Sequence, residues 1–449
     1  MNIVEHIFRN ADRNAVALIG EGQHVTYGQL AERVDAAAIS IARIPAMRVG
    51  LDCPNGIAHV VLALAIVRAG KCLVPLATEL VARERDELIR QTHLGAIVAA
   101  DGSIRTVTQD ASPEFDEEKL AAMNPAFIRF SSGTTGKSKG IVLSHERLLE
   151  RIAAANRGLG VTSSDKIVWI LPMAHHFAVS IMLYLVNGAT TIIENSHLAE
   201  DVLTAGRAHG GTILYGAPFH HGLLAADSSG RNWPTLRLAV STAAPLPLAI
   251  ARAFDERYSL PLSQGLGVIE CGLAILNLRA NRQKPTAIGR PLPDFEADIR
   301  EDQLFLRGPG MLDAYLNPWR PREEILEEGW FRTGDMARQD ADGDLFLEGR
   351  AHSVINVAGM KCFPEEVEAV LCTYPGVRAA RVTARAHPKT GAVPSAEIVP
   401  EDPATPPKIA AVAALCRSAL ARYKIPVDFK FVVSIPTTAS GKIKRDTPP

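Results

Sequence analysis

The sequence predicts an α/β protein of more than one domain, with layered strands and helices through its first two-thirds and a small α+β unit at its end. Three observations carry this. At 449 residues the chain exceeds the size at which one hydrophobic core stops growing. Short apolar runs alternate with helical periodicity up to about Pro291, the pattern of α/β layers. Beyond Pro291 the texture changes to short, half-alternating runs punctuated by turn residues.

Taken in order, residues 126–130 and 141–143 are apolar strands flanking a loop rich in glycine and hydroxyls. Ser144 is placed to cap a helix whose Leu148, Leu149, Ile152 and Ala155 share one face. Residues 167–171, 191–194, 212–215 and 236–240 read as buried parallel strands. Asp342-Gly343, between Met336 and the run 345–347, marks a hairpin. Asp340, Asp342 and Asp344 have the acid spacing of a calcium loop, but an EF-hand needs glycine where Leu345 stands, so they read as a turn. The acidic stretch 323–328 reads as a solvated helix face. After Ser353 come an acidic helix at 364–371, strands near 379–383 and 429–433, a helix near 409–422, and a loop at 399–407.

Composition excludes several function classes. Lys plus Arg is 48 and Asp plus Glu is 49, so no polyanion-binding surface and no nucleic-acid partner is expected. The apolar run 60–67 ends at Arg68, too short to span a bilayer. Glu5 and Arg9 stand where a signal peptide would be apolar, and six cysteines lack any C-x-x-C pair. The expectation is a cytoplasmic protein with no membrane span.

The strongest local signal is Ser131-Ser132-Gly133-Thr134-Thr135-Gly136-Lys137-Ser138-Lys139-Gly140. Such a loop offers backbone N–H groups and hydroxyls to phosphate oxygens, with Lys137 supplying charge. A Walker A loop would need glycine at Ser131 and would open a helix, whereas this one opens a strand.

This run resembles the phosphate loop of the adenylate-forming superfamily, which includes acyl-CoA synthetases, aryl-acid and amino-acid adenylation domains and firefly luciferase. The resemblance continues in order along the chain: Val25-Thr26-Tyr27, residues 69–76, Ser241-Thr242-Ala243-Ala244-Pro245-Leu246, residues 264–270, GWFRTGD at 329–335, Gly349-Arg350 with Gly359 and residues 364–368, and PTTASGKIKR at 436–445. It implies a large N-terminal domain (1–349) of layered α/β subdomains plus a small β-barrel-like part, and a small mobile α+β domain (350–449). It also implies ATP-dependent activation of a carboxylic acid to an acyl-AMP, then transfer to a thiol of CoA or of a carrier protein's phosphopantetheine, with Mg²⁺ assisting.

The roles of residues follow from the resemblance. Ser131, Ser132, Gly133, Thr134, Thr135, Gly136 and Lys137 would hold phosphates. Ala243, Ala244, Pro245, Gly265, Leu266, Gly267 and Ile269 would surround the nucleotide, and Asp335 and Arg350 would meet the ribose. Glu270 and Thr134 would hold Mg²⁺, a hard ion needing oxygen ligands. Lys442 would bring a cation from the small domain to the carboxylate and α-phosphate, where charge builds. Leu266, Ile269, Ser353 and Asn356 depart from the family's usual residues. Leu266, Ile269 and Ser353 keep a degenerate, non-catalytic nucleotide-binding module open as a second class.

The acid side is read from residues 172–180, which resemble the family's P-x-x-H segment. His175 and His176 stand where aryl-acid enzymes carry a His-Asn pair, with Phe177 and Ser180 nearby. No acidic residue falls in 172–183 to meet an α-ammonium group. Gly265, Cys271 and Gly272 are small and leave room for a flat ring. The expected substrate is a small aryl acid, with His175 also at the reaction centre; a medium-chain fatty acyl ligase is the alternative.

Overall fold

The computed structural model describes residues 2–109, 113, 115–131, 139–357, 360–388, 390–437 and 443. Two large sheets dominate. In the nine-stranded sheet, Val16–Gly20, Thr190–Ile193, Lys166–Trp169, Ile213–Gly216, Leu238–Ser241 and Ser263–Val268 run parallel as neighbours. Antiparallel strands close both of its edges. The expected buried strands lie within two residues of these bounds. In the eight-stranded sheet, Ala96–Ala99, Arg48–Asp52, Cys72–Pro75 and Pro125–Ser131 are parallel, and Lys139–Ser144 returns antiparallel beside the last of them.

One core joins the sheets. Leu18, Trp169, Tyr215 and Val240 of the first pack in the same cluster as Leu51, Leu73, Phe127 and Leu143 of the second. The apolar run that is too short for a bilayer becomes part of the helix Ile57–Arg68, in this cluster and apolar on nearly every face. No helix of the described residues is long and apolar enough to cross a membrane. Ser144 caps the helix His145–Leu159 by accepting from Arg147 N at 3.2 Å, as its position in the sequence suggests.

A four-stranded antiparallel sheet follows, in the order Glu296–Arg300, Gln303–Arg307, Phe331–Gln339 and Leu345–Arg350. The last part of the chain builds a separate five-stranded sheet from Ile355–Val357, Met360–Cys362, Val377–His387, Gly391–Pro400 and Phe429–Phe431, with its own core around Val367, Leu371, Val382 and Ile398. Two expectations need correction. The strand Gly391–Pro400 was not anticipated, and the supposed loop at 399–407 begins only after Pro400. Ala392, Pro394 and Ala396 are poor strand formers, but pairing on both sides overrides propensity. The acidic stretch 323–328 is not a helix face: helix spans only Arg322–Ile325, and the chain turns back through Glu328 at φ 52°.

The hairpin at 340–344 forms as expected, and its three carboxylates converge on a cation from elsewhere in the chain. Lys284 Nζ donates to Asp340, Asp342 and Asp344 at 2.7, 2.6 and 2.8 Å. The ammonium stands where an ion would sit. The hydrogen bonds to the three carboxylates raise the pKa of Lys284, and those same bonds lower the pKa values of Asp340 and Asp344. Those depressed carboxylates contribute stability above the ordinary Asp range, and it is lost as pH falls through their folded values. Lys284→Ala should lower the melting temperature and create a protein that millimolar Ca²⁺ stabilises, whereas the parent should not respond. An equal Ca²⁺ response of both in thermal melts would contradict this.

Candidate active site

The strands Pro125–Ser131 and Lys139–Ser144 pair in register from Pro125↔Ser144 to Ser131↔Lys139, so the phosphate-loop motif joins two antiparallel strands. Ser132, Gly133, Thr134, Thr135, Gly136 and Lys137 lie outside the described residues, as does Lys442. Beside the loop's exit, Lys139 Nζ lies 4.7 Å above the Tyr315 ring. Tyr315 in turn donates its hydroxyl to Glu270 Oε1 at 3.0 Å. Burial, and then Glu270, hold that phenol far above its usual pKa, so it remains a donor.

Glu270 is positioned from behind by Arg151, a residue the sequence reading missed. Arg151 is buried in the helix that follows the phosphate-loop hairpin. Its guanidinium donates to Ile269 O at 2.9 Å, to Glu270 O at 3.4 Å and twice to Gly310 O at 2.8 and 2.6 Å. Burial lowers its pKa to about 10, leaving it charged at neutral pH. The close approach needs glycine: at Gly310 (φ 66°) a Cβ would lie 2.4 Å from Arg151 N. A signal was present, since Arg151 falls on the apolar face of its helix with Leu148, Ile152 and Ala155. Glu270 has one oxygen on Tyr315 and is only partly buried. A single carboxylate there suits Mg²⁺, which keeps most of its waters and takes other ligands from phosphates.

Asp335 and Arg350 face each other across the hairpin as a register pair, with Arg350 Nε 2.8 Å from Asp335 Oδ1. Thr333 Oγ1 accepts from Asp335 N at 3.0 Å and donates to Leu304 O at 2.7 Å, which fixes the turn. Ala243 sits at φ 72°, a left-handed conformation that costs an alanine about 1 kcal/mol. It lies in the loop after Leu238–Ser241, at the carboxyl end of a parallel strand, where α/β sheets bind ligands. Gln264 Oε1 anchors that loop by accepting from Leu246 N at 2.6 Å. Leu266 and Ile269 are partly buried and pack on the central core.

On the acid side, Met173–His176 is a helical turn that continues as a π-helical turn at Phe177–Ile181. Phe177 is fully buried, its ring 5.8 Å from His59. Ser180 is also buried, bonded to the Tyr184 hydroxyl. The expectation that these two line the acid pocket is therefore replaced by a core position. His175 and His176 stay partly exposed. His176 meets Trp169 edge-on at 5.7 Å, and Trp169 stacks on Tyr215 at 6.0 Å and 21°. Among the described residues His175 Nε2 is buried without a hydrogen-bond partner, and burial, with Arg129 adding to it, pushes its pKa down to about 4. His175 is thus neutral at physiological pH. The small residues serve packing: Cys271 is in the core, Gly272 needs its φ of 89°, and a Cβ on Gly265 would press Leu273 and Leu276 at 3.2 Å.

The AMP-binding enzyme family model matches residues 5–316, and the AMP-binding enzyme C-terminal domain matches residues 366–442. The chain belongs to the AMP-binding enzyme family. It is an adenylate-forming enzyme of the AMP-forming acid–thiol ligase class. A relative in Mycobacterium tuberculosis, a propanoyl:CoA ligase whose name carries a 7a-methyl-1,5-dioxo-octahydro-1H-inden-4-yl group, is 30% identical over 96% of this chain and 94% of its own. The 2-succinylbenzoate–CoA ligase of Listeria monocytogenes is 28% identical over 96% and 95%. The amide bond synthetase McbA from Marinactinospora thermotolerans superposes with a TM-score of 0.84 at 26% identity, covering 98% of this chain and 97% of its own.

Arg151→Met should strip three carbonyls of their buried donor and cost about 3 kcal/mol of stability. Below its melting temperature the folded variant should also lose adenylation, because Glu270 is no longer held. A folded variant with unchanged acid-dependent pyrophosphate exchange would show that Arg151 does not position Glu270.

Proposed function

We propose that this enzyme activates a compact aryl carboxylic acid as its acyl-AMP and passes the acyl group to a thiol, either of CoA or of a carrier-protein phosphopantetheine. In the first step a carboxylate oxygen attacks the α-phosphorus of ATP, the bond to the bridging oxygen breaks, and pyrophosphate leaves. In the second the thiolate attacks the acyl carbon, the bond to the phosphate oxygen breaks, and AMP leaves. Asp335, an acceptor once Arg350 orients it, is assigned the ribose hydroxyls. Glu270 is assigned Mg²⁺, which when bound neutralises phosphate charge. Lys442 is assigned the mobile cation at the carboxylate, carried by residues 350–449 as the moving domain. Cytoplasmic residence fits six free cysteines, five of them buried.

The observation that carries the aryl reading is the pair of partly exposed histidines on the acid side. His176 presents a flat ring backed edge-on by the buried Trp169, and among the described residues His175 Nε2 is buried without a hydrogen-bond partner. Aromatic faces suit a ring in offset or edge contact. A neutral histidine can hydrogen-bond a ring substituent without demanding a second charge.

Acid-dependent pyrophosphate exchange over aryl, short-chain and medium-chain acids tests this. Hydroxy- or amino-substituted benzoates should lead the panel. A site that hydrogen-bonds its substrate loses far more with a partner removed than an apolar pocket does. His176→Ala should therefore cost the substituted acid about tenfold more in kcat/KM than it costs unsubstituted benzoate. Dodecanoate leading the panel, or equal losses for every acid, would put the medium-chain reading in its place.

A further inference from the structure

The strand that leads into the phosphate loop carries a cation with no evident structural task. Phe127 of Pro125–Ser131 faces the core between the two sheets, while Ile128 and Phe130 pack into the cluster on the other side. By strand alternation Arg129 shares the side of Phe127, at the end of the strand nearest the loop. Two other inward-facing arginines are satisfied, Arg48 by Glu117 and Thr92 O and Arg151 by Gly310 O. Arg129 differs. Its Nε is buried without a hydrogen-bond partner, and among the described residues no carboxylate is within ion-pair distance of it. An unpaired guanidinium in such a place is costly unless a ligand completes it.

The groups that feel its charge show where a ligand would lie. Arg129 is in Coulombic reach of His175 on the acid side and of Glu270 on the phosphate side. Burial lowers its pKa only to about 10, with Glu270 acting in the opposite direction, so it is a cation throughout the working pH range. A reacting carboxylate has to meet the nucleotide's phosphates, and a cation felt by both the acid-side histidine and the phosphate-side glutamate is suited to hold it. We propose that Arg129 is the fixed cation that receives the reacting carboxylate of the acid before adenylation. This rests on the adenylation reading above. It goes beyond that reading by dividing labour: Arg129, on a rigid strand, holds the anionic acid, and the mobile lysine serves the charge that develops at phosphorus. Because the acyl oxygen loses its charge once the adenylate forms, Arg129 serves the first half-reaction and not the second.

The test uses the full-length chain with benzoate, its neutral analogue benzamide, and presupplied benzoyl-AMP. Arg129→Gln should raise the KM for benzoate in pyrophosphate exchange at least tenfold, while the KM for ATP moves less than twofold. Arg129→Lys should recover part of the loss. Thioester formation from benzoyl-AMP should keep at least half its rate in Arg129→Gln, which also shows the variant to be folded. Benzamide should inhibit parent and variant alike. A rise in the KM for ATP alone would make Arg129 a phosphate ligand, and equal loss of both half-reactions would make it structural; either overturns the proposal. Absence of exchange with every acid in the parent would instead overturn the adenylation reading itself.

Discussion

The buried guanidinium of Arg151 joins three segments that are far apart in the chain. Its own helix begins where the phosphate-loop hairpin ends, its fork holds the carbonyls of Ile269 and Glu270, and its remaining donors hold Gly310. Tyr315 then takes the Glu270 carboxylate from the front. Loss of any one of these contacts would leave a buried polar group unpaired, so the set constrains itself. The consequence is functional: the carboxylate assigned to the metal is aimed by backbone contacts before any ligand arrives, as electrostatic preorganisation requires.

Charge is distributed unevenly around the cleft. On the phosphate side Lys139, Tyr315 and Glu270 form a polar chain, and Asp335 is oriented by Arg350. On the acid side the partly exposed His176 ring backs on to the buried Trp169, and burial keeps His175 neutral. Arg129 stands at the border between the two. Such a division suits a reaction that must bring an anion out of water to meet a polyphosphate, since the cation supplies locally what the apolar wall takes away.

Much of this architecture is legible in the sequence. Uninterrupted apolar runs gave the parallel strands, and Ser144 with its following periodicity gave a capped helix, because each signal is local. The motifs that resemble the adenylate-forming family lead to Asp335 and Arg350, which the hairpin brings face to face. Other features were hidden for physical reasons. The strand Gly391–Pro400 depends on partners on both sides rather than on its own propensities. The π-helical turn at Phe177–Ile181 departs from the 3.6-residue period that a sequence pattern reads, and Phe177 within it is fully buried. Arg129 and Arg151 carry no local signal, because what buries the Arg151 side chain and the Arg129 Nε lies far away in the chain.

If one site binds AMP and a compact aryl acyl group as a single ligand, their union should bind far better than either part. Calorimetric titration with a non-hydrolysable benzoyl-sulfamoyl adenosine, set against AMP and against benzoate, measures this. Binding should be at least about a hundredfold tighter than for either fragment, as for a mimic of the reaction's intermediate, and tighter than for the dodecanoyl counterpart. An affinity no better than that of AMP, with no gain from the acyl group, would rule out a shared site.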